Sequence, residues 1–187
     1  MSSSGVPKPR VAVLDIGGNL ASVVNAVRKV GGEPIVWKVA LEPPDQVTHM
    51  IIPGQGRFHD THLPSEPPSI PTLGICLGMQ LMCESSEEAP DVPGLGWLPY
   101  RVEKLPVPKL PHIGWAHASD PTGIRNTFYF CHSYAIPPVR KSTAWVTEYQ
   151  GYYFTSALFH GKLWAVQFHP EKSGKAGLSL LRQFLAL

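Results

Sequence analysis

Two segments far apart in the chain carry the side chains of a nucleophilic site. Cys76 lies in the turn 74–78, with a glycine at each end, and it follows an apolar run. His169 comes much later, and Glu171 stands two residues after it. A thiol beside an imidazole, with a carboxylate to orient that imidazole, is the arrangement of covalent catalysis on a carbonyl group. We therefore predict Cys76 as nucleophile, His169 as acid and base, and Glu171 as the group that orients His169.

The flanking sequence indicates how these groups are positioned. Cys76 ends a predicted strand and begins a predicted helix, so a sharp turn presents the thiol above the carboxyl edge of a sheet. His169 ends another predicted strand, and Pro170 favours extended geometry for it. Taken alone, a free cysteine is more often a small buried hydrophobe. The combination favours catalysis for Cys76, whereas Cys83 and Cys131 are expected in the core.

A third turn rich in glycine is expected at the same edge of the sheet. The apolar strand His49–Ile52 runs into Pro-Gly-Gln-Gly at 53–56, where the backbone is pliable. The backbone amides of Gln55 and Leu77 are predicted to form an oxyanion hole. An ordinary turn is the alternative interpretation of 53–56.

Composition narrows the class of protein. The 187 residues, 43% of them hydrophobic, predict one globular domain, 1–187, with a flexible tail at 1–9. A net charge of +2 gives no reason to expect nucleic acid or an anionic membrane as partner, and no apolar run reaches the length of a membrane span. Three cysteines without metal-ligand spacing predict no disulfide framework, no metal and a cytoplasmic protein.

Hydrophobic patterning predicts an α/β fold. Contiguous apolar runs indicate buried parallel strands in the first half, and short strands with hairpin turns follow in the second half. We expect a mostly parallel central sheet flanked by helices, with an antiparallel extension. The predicted strands are 10–15, 35–39, 49–52, 72–76, 129–131, 143–149, 152–158 and 163–168, and the predicted helices are 20–30, 77–84 and 173–187.

Taken in order, these motifs resemble those of the class I (triad) glutamine amidotransferases. The resemblance spans nearly the whole chain and is strongest to the glutaminase subunits of imidazole glycerol phosphate synthase, which belong to histidine biosynthesis. Met79 and Lys172 favour that group over the anthranilate synthase glutaminases, which typically have His and Ser there. The segments that carry the resemblance are 53–56, 74–82, 84–90, 111–115 and 167–173.

The resemblance implies a flavodoxin-like class I glutamine amidotransferase fold and a glutaminase that needs no cofactor. Such an enzyme hydrolyses glutamine to glutamate and ammonia through a cysteinyl thioester, and ammonia passes through a dry channel to a partner. The implied partner is a barrel cyclase subunit, which forms a heterodimer with it and makes imidazole glycerol phosphate and AICAR. A (β/α)₈ barrel takes about 250 residues, which is too large for this chain.

Motif positions in the resembling family imply roles for further residues. A solvated helix face, a strand end or ordinary surface is the alternative for each. Contacts to glutamine are implied for Gly54, Gly56, Gln80, Glu88, Ser133 and Tyr134, and contacts to the partner for Asn19, Trp115 and Lys172.

Three features depart from the family pattern. The turn 15–19 is one residue shorter than usual, and Ala116 stands where asparagine is usual. The segment 57–73 is short and contains four prolines, so we predict no long helix over 64–71, where family members carry one. Two other interpretations stay open: a glutaminase of another class I amidotransferase, such as the anthranilate type, or a catalytically silent binding subunit.

Overall fold

The computed structural model describes residues 7–39, 44–59, 61 and 63–187. Most of the predicted tail, residues 1–6, therefore lies outside the described residues. The strands are β1 (Arg10–Leu14), β2 (Glu33–Trp37), β3 (His49–Ile52), β4 (Thr72–Ile75), β5 (Cys83–Ser86), β6 (Leu98–Lys104), β7 (His112–Ser119), β8 (Arg125–His132), β9 (Tyr134–Ala135), β10 (Ala144–Tyr149), β11 (Tyr152–His160) and β12 (Leu163–Val166). The helices are α1 (Leu20–Lys29), α2 (Leu77–Leu81) and α3 (Gly174–Phe184), and a 3₁₀ turn spans Pro170–Lys172.

A nine-stranded sheet forms the centre of the fold, in the order β2-β1-β3-β4-β12-β11-β10-β7-β8. The pairs from β2 to β12 are parallel, and the pairs from β12 to β8 are antiparallel. The predicted α/β architecture with an antiparallel extension is confirmed, although the antiparallel half has as many strand pairs as the parallel half. Gln150 and Gly151 join β10 to β11 with positive φ values of 52° and 82°, which fits the predicted hairpin turn.

The sheet separates two hydrophobic cores, and alternate residues of β1 serve each of them. Val11 and Val13 pack with residues of α1 and α3 on one face. Ala12 and Leu14 pack on the other face, against α2 and a second sheet of order β5-β6-β9. Both faces are therefore covered, which explains why the parallel strands have contiguous apolar sequences rather than alternating ones.

The prediction is wrong directly after the nucleophile turn. A helix was expected over 77–84, but α2 ends at Leu81, and Cys83 begins β5 by pairing with Leu98 of β6. Strand pairing with a distant segment therefore outweighs the local preference for helix. Strands β5, β6, β7 and β9 were not predicted, and β8 begins at Arg125, four residues before the predicted start at 129.

The crossover between β3 and β4 contains no helix over 64–71, as predicted. Its proline-rich backbone is held by side chains from other segments. Trp97 Nε1 donates to the carbonyl of Pro64 at 3.2 Å, and Lys162 Nζ donates to the carbonyl of Ser69 at 3.1 Å. In the part of the chain that the structure describes, no helix is long and apolar enough to cross a membrane.

Candidate active site

Strands β4 and β12 bring the two distant segments together. They are parallel neighbours, with Val166 opposite Ile75 at their carboxyl ends. The backbone N–H of Cys76 donates to the carbonyl of Val166 at 2.7 Å. The residues that follow the two strands therefore emerge side by side at one edge of the sheet, where α/β proteins bind ligands.

Cys76 occupies a strained turn. Its φ of 54° and ψ of −106° lie in a region that residues with a side chain rarely adopt. The turn is enforced by close packing, since a Cβ on Gly78 would lie 1.8 Å from the carbonyl oxygen of Ile52. A Cβ on Gly74 would lie 2.8 Å from the backbone nitrogen of Met79. The glycines at 74 and 78 thus let α2 approach the sheet and hold the thiol at its edge.

His169 and Glu171 form a buried pair beside this turn. His169 Nδ1 lies 2.8 Å from Glu171 Oε1, and both side chains are 1% exposed. The carboxylate can only accept, so Nδ1 carries the hydrogen and donates it. Asn19 Nδ2 donates to the same carboxylate oxygen at 3.3 Å. Within the described ranges, His169 Nε2 is buried and makes no hydrogen bond of ordinary geometry.

The charge state of His169 reflects its two acidic neighbours. Burial lowers the pKa of this imidazole, but interactions with the Cys76 thiol and the Glu171 carboxylate outweigh burial and raise the pKa to about 9. At neutral pH His169 is therefore protonated and able to give a proton to a leaving group.

A cavity of about 330 Å³ opens in front of Cys76. This volume is in the range of small-molecule sites. Eight of the residues predicted from sequence line it together, and Pro111, Cys131 and His132, which were not predicted to contact a substrate, also contribute. The eight are Gln55, Gly56, Cys76, Leu77, Gln80, Glu88, Ser133 and Tyr134.

One residue predicted to contact the substrate, Gly54, does not line the cavity. A Cβ there would lie 2.9 Å from the Leu77 Cβ, so Gly54 lets these two turns pack together. Glu88 is held by its Oε2, which accepts the backbone N–H of Phe58 at 3.0 Å. The expectation that Cys131 is core is wrong, because Cys131 is half-buried on β8 and faces the same cavity. Cys83 is buried as expected, and burial raises the pKa of its thiol.

A buried side-chain amide that was not predicted from the sequence contacts the nucleophile. Gln167 is 0% exposed, and its Nε2 donates to Cys76 Sγ at 3.5 Å. Gln80, 5% exposed, donates from Nε2 to the carbonyl of Tyr134 at 2.9 Å and to Oε1 of Gln167 at 3.1 Å. Two signals were available: Gln167 lies near the end of the predicted strand 163–168, two residues before His169, and it begins the segment 167–173 that carries the resemblance.

The three residues predicted to face a partner do not share one environment. Trp115 is 59% exposed and meets the ring of Tyr129 edge-on at 5.9 Å. Lys172 Nζ lies 5.7 Å from the centre of the same ring. Asn19 is partly buried, with its amide on Glu171. We call Trp115, Tyr129 and Lys172 the tyrosine-centred surface.

No metal centre is apparent in the part of the chain described: no three His, Cys, Asp or Glu side chains there are grouped to hold an ion. The polar groups that line the cavity are amides, hydroxyls, one carboxylate, the Cys76 and Cys131 thiols and the His132 imidazole. A thiol in this position can attack a carbonyl carbon of a bound molecule.

Comparison with known proteins gives consistent matches. The sequence model of the family Glutamine amidotransferase class-I matches residues 12–187. The chain is 40% identical over 201 residues to Imidazole glycerol phosphate synthase subunit HisH of Deinococcus radiodurans, covering 94% of this chain and 93% of that protein. It is 37% identical over 214 residues to Imidazole glycerol phosphate synthase hisHF of Emericella nidulans, covering 95% of this chain but 38% of that longer protein.

A solved structure gives the same result for the fold. The "Crystal structure of glutamine amidotransferase" superposes with a TM-score of 0.69 at 18% identity, covering 95% of this chain and 99% of that one. This similarity confirms the fold that the resemblance implied.

Proposed function

Because the chain belongs to the glutamine amidotransferase class-I family, we propose that it is the glutaminase subunit of an imidazole glycerol phosphate synthase. One observation carries this function: the strained Cys76 turn stands beside the buried His169–Glu171 pair, at a cavity large enough for glutamine. The relative from Deinococcus radiodurans, which matches along nearly the full length of both chains, supports the choice of synthase.

The reaction divides amide hydrolysis into two steps. The Cys76 thiolate attacks the side-chain carbonyl carbon of glutamine, and the carbonyl π electrons move to the oxygen. The tetrahedral intermediate collapses as His169 gives its proton to the nitrogen, so the C–N bond breaks and ammonia leaves a glutamyl thioester. Water then attacks the thioester carbonyl while His169 takes its proton, and the C–S bond breaks. The Cys76 thiolate and protonated His169 are regenerated, and the released acid loses its proton to water to give glutamate.

Backbone and side-chain groups of the cavity bind the substrate. The amides of Gln55 and Leu77 receive the developing oxyanion. The pliable turn at Gly54 and Gly56 allows the Gln55 peptide to reach it. Gln80, Glu88 and the backbone of Ser133 and Tyr134 hold the α-amino and α-carboxylate groups of glutamine. No cofactor is required, because the thiol, the imidazole and the carboxylate supply every proton and electron pair.

The ammonia goes to a partner protein. In water at neutral pH ammonia is mostly protonated and is not nucleophilic, so it must travel through a dry passage. The partner is a barrel cyclase subunit that uses ammonia to make imidazole glycerol phosphate and AICAR. Trp115 and Lys172 contact it through the tyrosine-centred surface, and Asn19 contributes from the adjoining turn. The complex works in the cytoplasm, where free thiols stay reduced.

Glutamine hydrolysis in the presence and absence of the barrel subunit tests this function. We expect glutamate formation that rises when the barrel subunit and its nucleotide ligand are added, and that disappears in Cys76→Ala. Cys83→Ala is the matched control, because Cys83 is buried behind the nucleophile turn. The activity of this variant should match that of the parent protein.

Labelling with a glutamine-analogue electrophile separates the alternatives. Mass spectrometry should locate the label on Cys76. An unlabelled protein in the presence of the barrel subunit would instead indicate a catalytically silent binding subunit, and copurification with a chorismate-using enzyme would indicate the anthranilate type.

A further inference from the structure

We propose that Gln167 is a positioning residue for the nucleophile: its side-chain amide donates a hydrogen bond to the Cys76 sulfur and is held in that orientation by Gln80. This inference rests on the proposed glutaminase function. It concerns a residue that does not line the substrate cavity and that acts through the sulfur.

The position of the Gln167 side chain is fixed by its surroundings. The residue is 0% exposed, and its backbone N–H donates to the carbonyl of Ser156 at 2.9 Å. Its Nε2 lies 3.5 Å from Cys76 Sγ, an ordinary length for a hydrogen bond to sulfur. Burial of a side-chain amide costs free energy unless both its N–H and its C=O groups are hydrogen-bonded.

The orientation of the amide follows from its neighbours. The carbonyl of Tyr134 can only accept, so the atom of Gln80 that lies 2.9 Å from it is the nitrogen. That nitrogen also lies 3.1 Å from the Gln167 side chain, which must therefore present its oxygen there. Flipping Gln167 would place two N–H groups against each other and an oxygen against the sulfur. The N–H of Gln167 consequently faces Cys76.

The carbonyl of Tyr134, which determines the orientation of the Gln80 and Gln167 amides, accepts a second hydrogen bond. His132 Nδ1 donates to it at 2.9 Å, so His132 Nε2 accepts from His112 Nδ1 at 3.2 Å. Burial lowers the pKa of His132 to about 3 and that of His112 to about 4, so both rings are neutral and keep these tautomers. A buried series of hydrogen bonds thus runs from His112 through Tyr134 and Gln80 to Gln167.

The direction of the last hydrogen bond favours the reactive state of the sulfur. The neutral thiol donates to the carbonyl of Cys131 at 3.7 Å. Once the proton leaves, that carbonyl offers no attraction, whereas the N–H of Gln167 interacts more strongly with the anion. Gln167 therefore holds the charged sulfur in place between the substrate and His169.

Two substitutions of similar size separate this role from packing. Gln167→Met removes both hydrogen-bonding ends, and Gln167→Glu keeps an acceptor for Gln80 but turns an oxygen toward the sulfur. Ser156→Ala is the control. The Ser156 hydroxyl is buried without a hydrogen-bond partner in the described structure, and the backbone carbonyl of Ser156 accepts the backbone N–H of Gln167. Each variant is assayed in complex with the barrel subunit for kcat and KM with glutamine, and for the rate at which iodoacetamide alkylates Cys76.

We expect kcat and the alkylation rate to fall by about 10- to 100-fold in both Gln167 variants, the range for a hydrogen bond to a charged group. In Gln167→Glu, KM should change by less than about threefold, because the acceptor that holds Gln80, a proposed contact of glutamine, is retained. Ser156→Ala should match the parent protein. Parental kcat and alkylation in Gln167→Glu would overturn the proposal, as would a loss of kcat with an unchanged alkylation rate.

If one Gln167 variant fails to fold, the other still tests the hydrogen bond to Cys76. The alkylation rate tests this hydrogen bond even if the complex does not turn over glutamine. If the parent complex hydrolyses no glutamine, the proposed function fails. A slower alkylation in the Gln167 variants would still support the hydrogen bond to Cys76.

Discussion

His169 and Glu171 form an ion pair whose two side chains are both 1% exposed, with 2.8 Å between Nδ1 and Oε1. Only one residue separates them, and the 3₁₀ turn Pro170–Lys172 folds the carboxylate back onto the ring. Because the pair is removed from water, each member strongly affects the ionisation of the other.

Glu171→Gln should lower the pKa of His169 from about 9. Burial lowers this pKa, and the substitution removes the carboxylate charge that raises it. A raised pKa in the folded state stabilises the protein below the unfolded value of about 6.5, and this stabilisation is lost as the pH rises through 9. We expect the free energy of unfolding at pH 6.5 to fall by about 1.5–3 kcal/mol, with a smaller loss at pH 9.5. Urea denaturation and NMR titration of the ring measure both effects.

Glu33→Gln is the control for this substitution. Glu33 pairs with Arg10 at 3.8 Å, and its side chain is 57% exposed, so the change should cost less than about 1 kcal/mol. An unchanged titration of His169 in Glu171→Gln would contradict the assignment of the raised pKa to the carboxylate.

Gly78→Ala should disrupt the nucleophile turn. The new Cβ would lie 1.8 Å from the carbonyl oxygen of Ile52, so α2 would have to move away from the sheet. We expect a loss of about 3 kcal/mol or more in unfolding free energy, measured by chemical denaturation. Gly31→Ala, whose φ is 95° but whose Cβ meets nothing within 4 Å, should cost about 1–2 kcal/mol. Equal losses in the two variants would show that the close approach to Ile52 is not decisive.

The buried imidazoles of His112 and His132 should make the protein sensitive to mild acid. Burial lowers both pKa values, to about 4 and about 3, so the unfolded state binds more protons below pH 6.5. Stability is therefore full above pH 6.5 and falls as the pH drops toward 4, by about 1.4 kcal/mol per pH unit for each ring. Urea denaturation between pH 5 and pH 7 measures this slope.

His112→Phe should make that slope shallower. The substituted ring can keep the stacking positions on Phe130 and Tyr149, whose centroids lie 4.9 Å and 4.0 Å from that of His112. His160→Gln, at an exposed position of β11, should leave the slope as in the parent protein. A slope that His112→Phe does not alter would exclude this ring as a source of acid sensitivity.

Trp115→Ala should weaken binding of the barrel subunit. Trp115 is 59% exposed beside Tyr129, and exposed tryptophans that become buried in an interface often dominate its affinity. We expect Kd to rise about tenfold or more in isothermal titration calorimetry. Val36→Ala is the control, since Val36 is 48% exposed on β2 at the opposite edge of the sheet. Equal affinities for the Trp115 variant and the parent protein would place the interface elsewhere.

Local sequence was sufficient where a feature depends on neighbouring residues. The glycines at 74 and 78 indicated the sharp turn at Cys76, and contiguous apolar runs indicated strands covered on both faces. Four prolines were enough to exclude a helix from the crossover. The turn at Gln150 was recognisable because glycine follows it between two strand-like segments.

Features that depend on contacts between distant segments could not be predicted from local sequence patterns. Strand β7 places Ile113 and Trp115 in solvent, at 58% and 59% exposure, so its large apolar residues point away from the core. The helix predicted through residue 84 is replaced by a strand because Leu98 pairs with Cys83. The contact of Gln167 with the nucleophile depends on which amide atoms meet, and spacing along the chain does not encode that.

The place of β12 in the sheet has a consequence during synthesis. β4, which leads to Cys76, gains its second neighbour only when residues 163–166 insert between β4 and β11. A nascent chain that ends before residue 163 therefore carries β4 as an open, apolar edge, which is prone to aggregate. Truncations that remove β12 should depend on chaperones while they emerge from the ribosome, and the order of the strands thus delays reactivity until residues 163–166 have been synthesised.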